Sequence, residues 1–278
     1  MAGRPLPDMA SPAPSRRRLR PSAPLPIVIL ASAGAAFFII PLLGLLLRTP
    51  WTSAWHQLAA PEVLAALRLS LLTSFSATAI AVILGVPLAW VFARLTFPGR
   101  SVVRALTVLP MVLPPVVGGV ALLLAFGRQG LVGSWLATAV GIHLPFTTAG
   151  AIVAETFVAM PFLVITVEAG LRSMDTRFED AARTLGASRW TVLWRVTLPL
   201  VRPSLVAGAV LCWARALGEF GATITFAGNF PGRTQTMPLA VYLAMESNPD
   251  AAIVLSLVLL AVSLAVLIGL RDRWLGGS

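Results

Sequence analysis

Lysine is absent from this chain. All 21 basic residues are arginine, against 11 acids, and the formal net charge is +10. Without lysine there is no P-loop of the form G-x-x-x-x-G-K-[ST], whose lysine reaches bound phosphates, so the chain does not hydrolyse ATP by that route. A lysine Schiff base is excluded too. The arginine preference itself reads as genomic base composition. Cysteine occurs once, at Cys212. That excludes a disulfide within the chain and any CxxC site. Its neighbours Leu211 and Trp213 mark an apolar packing position. The two histidines, His56 and His143, lie far apart, so neither H-E-x-x-H nor H-x-x-E-H is present. Charge is scarce as well: 12% of residues are charged and 57% are hydrophobic, with a mean hydropathy of +0.86. That balance excludes an ordinary soluble domain and predicts a polytopic membrane protein.

Residues 1–25 are rich in Pro, Ser and Arg and read as a disordered basic tail ending in Arg16, Arg17, Arg18 and Arg20. The apolar run that follows is too long for a signal peptide and lacks an A-x-A cleavage site, so it reads as an uncleaved signal anchor. Six hydrophobic segments are expected: Pro26–Leu47, Leu69–Ala93, Ala105–Phe126, Thr148–Leu171, Leu205–Ala227 and Ala251–Leu270. The first would span about 33 Å at 1.5 Å per residue, enough for the hydrocarbon core.

Arginine asymmetry sets the orientation. With the N-terminus inside, the inner segments 1–25, 94–104, 172–203 and 271–278 hold five, three, six and two arginines. The exceptions are Arg48, Arg68, Arg128, Arg215 and Arg233. This positive-inside pattern puts both termini in the cytoplasm. Trp51 and Trp55 in the outer loop 48–66 suit an interfacial aromatic belt. In the outer segment 228–250, TMPLAVYLAMES predicts a short surface helix with Leu239, Tyr242 and Leu243 on its apolar face. It either lies on lipid or offers a docking surface. LPMVLPP at 109–115, followed by Gly118 and Gly119, interrupts the third span. It reads either as a pathway wall or as a packing kink.

The polar stretch EDAARTLGASRW, residues 179–190, falls in the largest inner loop, 172–203. Phe178, Ala181, Ala182 and Leu185 share one helical face. Gly186 is a helix stop, and Ser188 can cap a second short helix carrying Trp190, Leu193 and Trp194. Pro199 and Pro203 are expected to end it. Helix, glycine turn, helix is also the outline of a DNA-binding motif. That reading needs a soluble domain to bury the apolar face, and only about thirty residues separate two spans here, so nucleic acid is not an expected partner. Either the membrane domain or a second protein must cover that face.

The same loop resembles the EAA signature of ABC-importer permeases, E-A-A-x3-G-x9-I-x-L-P. It stands here as Asp180-Ala181-Ala182, then Gly186, then Val196-Thr197-Leu198-Pro199. Asp180 replaces the usual Glu, with Glu179 beside it, and Val196 replaces Ile. A second resemblance narrows the family. ARALGEFGATITFAGNFPGRTQTMPLAVY (214–242) and VLPMVLPPVVGGVALLLAFGRQGLVG (108–133) are similar to molybdate-importer permeases, with sulfate permeases as the nearest relatives. The resemblance implies an all-α, type I importer permease fold of about six transmembrane helices over residues 26–278. It implies a multi-pass protein of the bacterial inner membrane that is not itself an enzyme and holds no metal or cofactor. Its implied partners are a second copy of the chain, two cytoplasmic ATPase subunits that bind ATP and Mg, a periplasmic molybdate-binding protein and membrane lipid. The ATPase-coupling residues by this resemblance are Glu179, Asp180, Ala181, Ala182, Leu185, Gly186, Ser188, Arg189 and Trp190.

Charged groups within spans are costly and usually face protein or a wet cavity. Glu155, Glu168, Arg215 and Glu219 are such groups. Arg215 and Glu219 are four apart and can pair. A carboxylate is a poor ligand for a dianion, so Glu219 reads as structural or gating. Pro114, Pro115, Gly118, Arg215, Gly218, Glu219 and Gly221 are the expected pathway or gate residues, with Gly218 and Gly221 permitting close helix contact. Two rival classes remain. An ion-gradient transporter would use Glu155 and Glu219 as proton sites but leaves the EAA loop unexplained. A membrane hydrolase would need groups assembled around His56 or His143, and no such motif is present.

Overall fold

The computed structural model describes residues 24–275, and the basic tail expected over 1–25 lies almost entirely outside them. No strand occurs among the described residues. The chain divides into two units, 1–47 and 48–278. In the first, α1 (Leu25–Arg48) is apolar on every side and buries none of its residues. Such a helix has no solvent-facing side and belongs in lipid.

In the second unit, α2 (Trp51–Leu58) is short and exposes Trp51 and Trp55. α3 runs over Pro61–Arg94, starting on a proline whose missing N–H would be unpaired at that position anyway. α4 (Arg100–Val112) and α5 (Pro115–Phe126) follow. A short turn, α6 (Gly133–Trp135), continues as a π-helical turn, Leu136–Val140. α7 spans Thr148–Ser173 and is capped by the Thr147 hydroxyl, which accepts from the Gly150 N–H at 3.0 Å. α8 (Arg177–Thr184), α9 (Arg189–Val192), a second π-helical turn (Leu193–Thr197) and α10 (Leu198–Leu200) make the loop after α7. α11 (Arg202–Leu217), α12 (Gly221–Phe226), α13 (Met237–Ser247) and α14 (Pro249–Leu275) complete the chain.

Among the described residues four helices, α1, α3, α7 and α14, are long and apolar enough to cross a membrane by themselves. The expected third and fifth spans are each divided. The third breaks at Leu113, which is extended (φ −67°, ψ 133°) because the following proline excludes the helical region. The fifth starts earlier than expected, at Arg202, and stops at Leu217. Gly218 to Phe220 then interrupt it before α12. Pro199 and Pro203 do not end the preceding helix. Both sit in first turns, of α10 and α11, where proline is tolerated. The chain instead bends by 70° between 189–200 and 202–217.

The core is built on α3, α7 and α11 from small residues. Ala77, Ala81, Ala89, Ala159, Cys212 and Ala216 are buried with Phe92, Leu163 and Val167. Lipid gives apolar side chains no reason to prefer one another, so close backbone approach and dispersion hold such helices together. Gly85 shows the tolerance: a Cβ there would meet Leu163 Cδ2 at 2.9 Å. At the other end, Ala66, Met237 and Leu255 join α3, α13 and α14. The expected surface helix therefore exists as α13, but its inward side carries Met237 as well as Leu239, and Tyr242 and Leu243 point outward.

Candidate functional site

The loop after α7 is a helix, a turn and a second helix. α8 ends in a complete Schellman motif. The Gly186 N–H donates to the Arg183 carbonyl at 2.9 Å and the Ala187 N–H to the Ala182 carbonyl at 3.0 Å. The motif needs a left-handed residue at its hinge, and Gly186 has φ +84°. Two residues on, the Ser188 side chain accepts from the Thr191 N–H at 3.2 Å and caps α9.

The apolar face of α8 points away from the chain. Phe178 is 56% exposed and Leu185 89%, and on the second helix Trp190 and Trp194 are 70% and 64% exposed. Ala181, Ser188 and Arg189 are exposed with them, and Ala182 is half-buried. The membrane domain therefore does not cover this face. Inward points a carboxylate, Glu179. Its Oε1 lies 3.2 Å from an Arg94 guanidinium nitrogen at the end of α3 and accepts the Thr197 hydroxyl at 2.7 Å. Asp180 does the opposite: two-thirds exposed, it pairs with Arg183 at 3.4 Å. The two adjacent acids thus have separate places, one inside the fold and one on its surface.

A second ion-pair cluster lies nearby. Glu168 on α7 is held by Arg104 of α4 at 3.0 Å and by Arg172 at 2.6 Å. Arg172 and Arg100 both donate to the Phe92 carbonyl. α3, α4 and α7 are therefore tied to one another at the end that carries the loop. Beside it, a cleft of about 1010 Å³ between α7 and α11 is lined by Thr166, Gly170, Ser173, Arg202 and Ser204.

The expected pathway residues fall into two groups. Pro115, Gly118 and Gly221 meet where α5 packs on α12 and α7. A Cβ on Gly221 would lie 2.7 Å from Pro115 Cβ, and one on Gly118 3.2 Å from the Phe157 ring. Gly119 belongs here too, since its Cβ would lie 3.0 Å from the Ala222 carbonyl oxygen. Pro114 is exposed at the break between α4 and α5. Gly218 is a correction: it is exposed, and among the described residues a Cβ there would meet nothing closer than the Ala214 carbonyl at 3.7 Å, so it makes no close helix contact within them.

Arg215 and Glu219 form the second group, with 2.6 Å between Arg215 Nη1 and Glu219 Oε2. They do not pair along a helix face, because Glu219 lies beyond the end of α11. Its other oxygen accepts the Ala222 N–H at 2.9 Å and caps α12. One side chain thus holds the two halves of the broken segment together. Glu155 lies on α7. It is 1% exposed, accepts the Thr73 hydroxyl at 2.7 Å and has no partner on Oε2 among the described residues. Sequence reasoning missed Arg94, Thr197, Arg104 and Thr73. The signal available was that an arginine at the end of a span must find an acid or leave the bilayer. No group of three or more His, Cys, Asp or Glu side chains among the described residues could hold a metal ion.

Broken apolar helices, a core of small residues and a polar loop with an uncovered apolar face define a multi-pass helical membrane protein. The chain belongs to the family of binding-protein-dependent transport system inner membrane components, which it matches over residues 81–276. It is 47% identical over 259 residues to the molybdenum transport system permease protein ModB of Mycobacterium tuberculosis (strain ATCC 25618 / H37Rv), covering 92% of this chain and 97% of that one. With the protein of the same description from Escherichia coli (strain K12) it shares 41% identity, covering 78% and 95%. The sulfate transport system permease protein CysT of Escherichia coli (strain K12) is 36% identical, covering 92% and 94%. Among solved structures, a bacterial ABC transporter involved in import of the acidic polysaccharide alginate superposes with a TM-score of 0.72 at 18% identity, covering 91% of this chain and 94% of that one. That likeness establishes the type I importer permease fold.

Proposed function

We propose that this chain is the permease subunit of an ATP-driven importer of molybdate, or of tungstate, which has nearly the same size and charge. The observation that carries the proposal is the outward apolar face around Gly186, with Leu185 89% exposed, in a chain that is 47% identical to a molybdenum permease over nearly its whole length. A short helix with a few apolar anchors fits a groove on a second protein. That protein is a separate ATPase, which binds ATP and Mg, and this chain hydrolyses nothing itself. Glu179, Asp180, Ala181, Ala182, Leu185, Gly186, Ser188, Arg189 and Trp190 form the coupling loop. Asp180 and Arg189 supply polar contacts at its rim.

In this reading two copies of the chain form the pathway, two ATPases sit on the cytoplasmic side, and a periplasmic binding protein delivers the oxyanion. The arginine distribution supports cytoplasmic termini. Nucleotide binding draws the ATPases together and moves the loops. The motion passes through Arg94–Glu179 to α3 and through the 70° bend to α11. Hydrolysis resets it. Pro114, Pro115, Gly118, Gly221 and the Arg215–Glu219 pair make the gate region, Glu219 holding helices together rather than binding substrate.

Sulfate is the second reading, favoured by the 36% identity to a sulfate permease over 92% of the chain. Vesicles containing the chain, its ATPase and its binding protein decide between them. ATP-dependent molybdate uptake that tenfold excess sulfate fails to suppress supports the molybdate reading. Preferential sulfate uptake overturns it, and uptake without the ATPase overturns the importer reading altogether.

A further inference from the structure

Two of the arginines that break the positive-inside pattern, Arg128 and Arg233, meet in one cleft. It measures about 860 Å³ and is also lined by Gln129, His143, Phe146 and Thr147. It lies at the opposite end of the fold from the coupling loop, since α7 runs from Thr148 beside this cleft to Ser173 beside the loop. That is about 39 Å for 26 residues at 1.5 Å each.

No acid among the described residues lines the cleft. The chain has no Asp or Glu between Glu62 and Glu155, and none between Glu219 and Glu246, so both stretches that build it carry positive charge alone. Arginine on this side of a membrane protein runs against the usual bias, and here two of them share one concavity.

The walls are fixed in place. Phe146 has φ +60° and is the one non-glycine residue in the left-handed region among the described residues. Such a conformation persists only where surroundings enforce it, and it concentrates at functional sites. Its N–H donates to the Phe226 carbonyl at 3.3 Å, and its ring stands edge-on to Phe230 with centroids 6.3 Å apart. The Thr148 hydroxyl donates to the Arg233 carbonyl at 2.8 Å. The strand of chain carrying His143 and the one carrying Arg233 are therefore locked to each other. Arg128 sits in a tight turn closed by the Gly130 N–H on the Gly127 carbonyl at 2.8 Å.

We propose that this cleft is a receiving site for a tetrahedral oxyanion dianion, between its release by the binding protein and its passage into the pathway. The proposal rests on the importer reading above. Guanidinium groups offer paired donors matched to oxyanion edges. An acid-free positive concavity raises the local concentration of an anion. The cleft is open, as a transit site must be if its ligand is to leave again. A lipid headgroup phosphate presents the same chemistry, so the test separates the two sources.

The complete transporter is reconstituted once in phosphatidylcholine alone and once with added phosphatidylglycerol. Uptake of molybdate and tungstate is measured against the concentration of loaded binding protein, for the native chain, R128Q/R233Q and R128K/R233K. Loss of the two charges is expected to lower maximal uptake about tenfold in both membranes, and the lysine pair, which keeps the charge without the paired donors, to fall between the native chain and R128Q/R233Q. The half-saturating concentration of binding protein is expected to stay within about twofold. Should the double variant fail to assemble, R128Q and R233Q are compared singly, each with a smaller loss of the same kind. Unchanged maximal uptake overturns the inference. A loss confined to membranes containing phosphatidylglycerol assigns the cleft to lipid and overturns it. A rise in half-saturation at unchanged maximal rate assigns it to docking of acidic side chains on the binding protein, and also overturns it. Absence of molybdate uptake by the native complex is a different failure, that of the importer reading itself.

Discussion

Arg94, the last residue of α3, closes on Glu179 of the loop after α7 at 3.2 Å, across 85 residues of sequence. The oxygen that receives it also accepts the Thr197 hydroxyl. Three segments, the end of α3, the first loop helix and the π-helical turn that follows, therefore share one carboxylate oxygen. The pair is more than four-fifths buried on both sides.

Removing one partner of a buried ion pair leaves the other unpaired, at a cost of about 3–5 kcal/mol. Glu179→Ala is expected to detach the loop from α3. In reconstituted vesicles uptake should fall more than tenfold while the ATPase still turns over. Uptake that keeps pace with ATP hydrolysis at the native ratio would show that motion enters elsewhere.

Leu185 and Trp190 behave in the opposite way. Both are exposed within this chain, so Leu185→Ala and Trp190→Ala should leave the thermal midpoint of the isolated permease nearly unchanged, within about 0.5 kcal/mol. Affinity for the ATPase should drop by at least 2 kcal/mol, roughly thirtyfold, as for aromatic and aliphatic anchors in a groove. Titrating ATPase onto permease in detergent, native against variant, measures it. An unchanged dissociation constant would remove these residues from the interface.

At Gly186 the backbone conformation rather than side-chain space sets the outcome. Open space surrounds its Cα, but φ is +84°. Gly186→Ala should cost about 1–2 kcal/mol, the left-handed penalty for an L-residue, and Gly186→Asp should lower uptake further by adding charge at the docking face. Asn tolerates this region better, so Gly186→Asn should fall between native and Ala in thermal midpoint. Ala equal to native would mean that the turn relaxes.

Gly221 tests packing instead. A Cβ placed there lies 2.7 Å from Pro115 Cβ and 3.2 Å from the Val116 nitrogen. The neighbours are ring and backbone and cannot swing aside, so Gly221→Ala should cost about 1–3 kcal/mol as overpacking. Gly218→Ala should cost less than about 1 kcal/mol, since it adds a methyl at an exposed position. Thermal midpoints of the two variants, measured side by side, give the comparison, and equal losses would contradict the packing described.

The sequence carried the outline of this fold but not its interior contacts. Hydropathy located every long apolar segment because the bilayer imposes length directly. LPMVLPP warned of a break, yet the third segment still read as one span, since composition averages across a proline pair. The fifth segment hid its break because Gly218 and Gly221 are tolerated in membrane helices. The loop was legible through the spacing of Asp180, Gly186 and Pro199. Its polarity was not: an amphipathic period shows that Phe178, Ala181, Ala182 and Leu185 share a face, but not which way the face turns. That depended on Arg94, eighty-five residues away. Likewise Glu219 was legible as an intramembrane acid, while its bond to the Ala222 N–H needed α11 to end two residues before it.

Cys212 is fully buried between Leu211 and Trp213, and it is the chain's sole thiol. The outer surface of the permease is therefore blank to thiol-directed reagents. Cysteines introduced at the exposed positions Thr184 and Gln129 would be the two reactive handles on the chain, and the native residue need not be replaced first. Cross-linkers and paired fluorescent labels can thus report the distance between the coupling loop and the opposite cleft, stage by stage through the ATP cycle, in an otherwise native transporter.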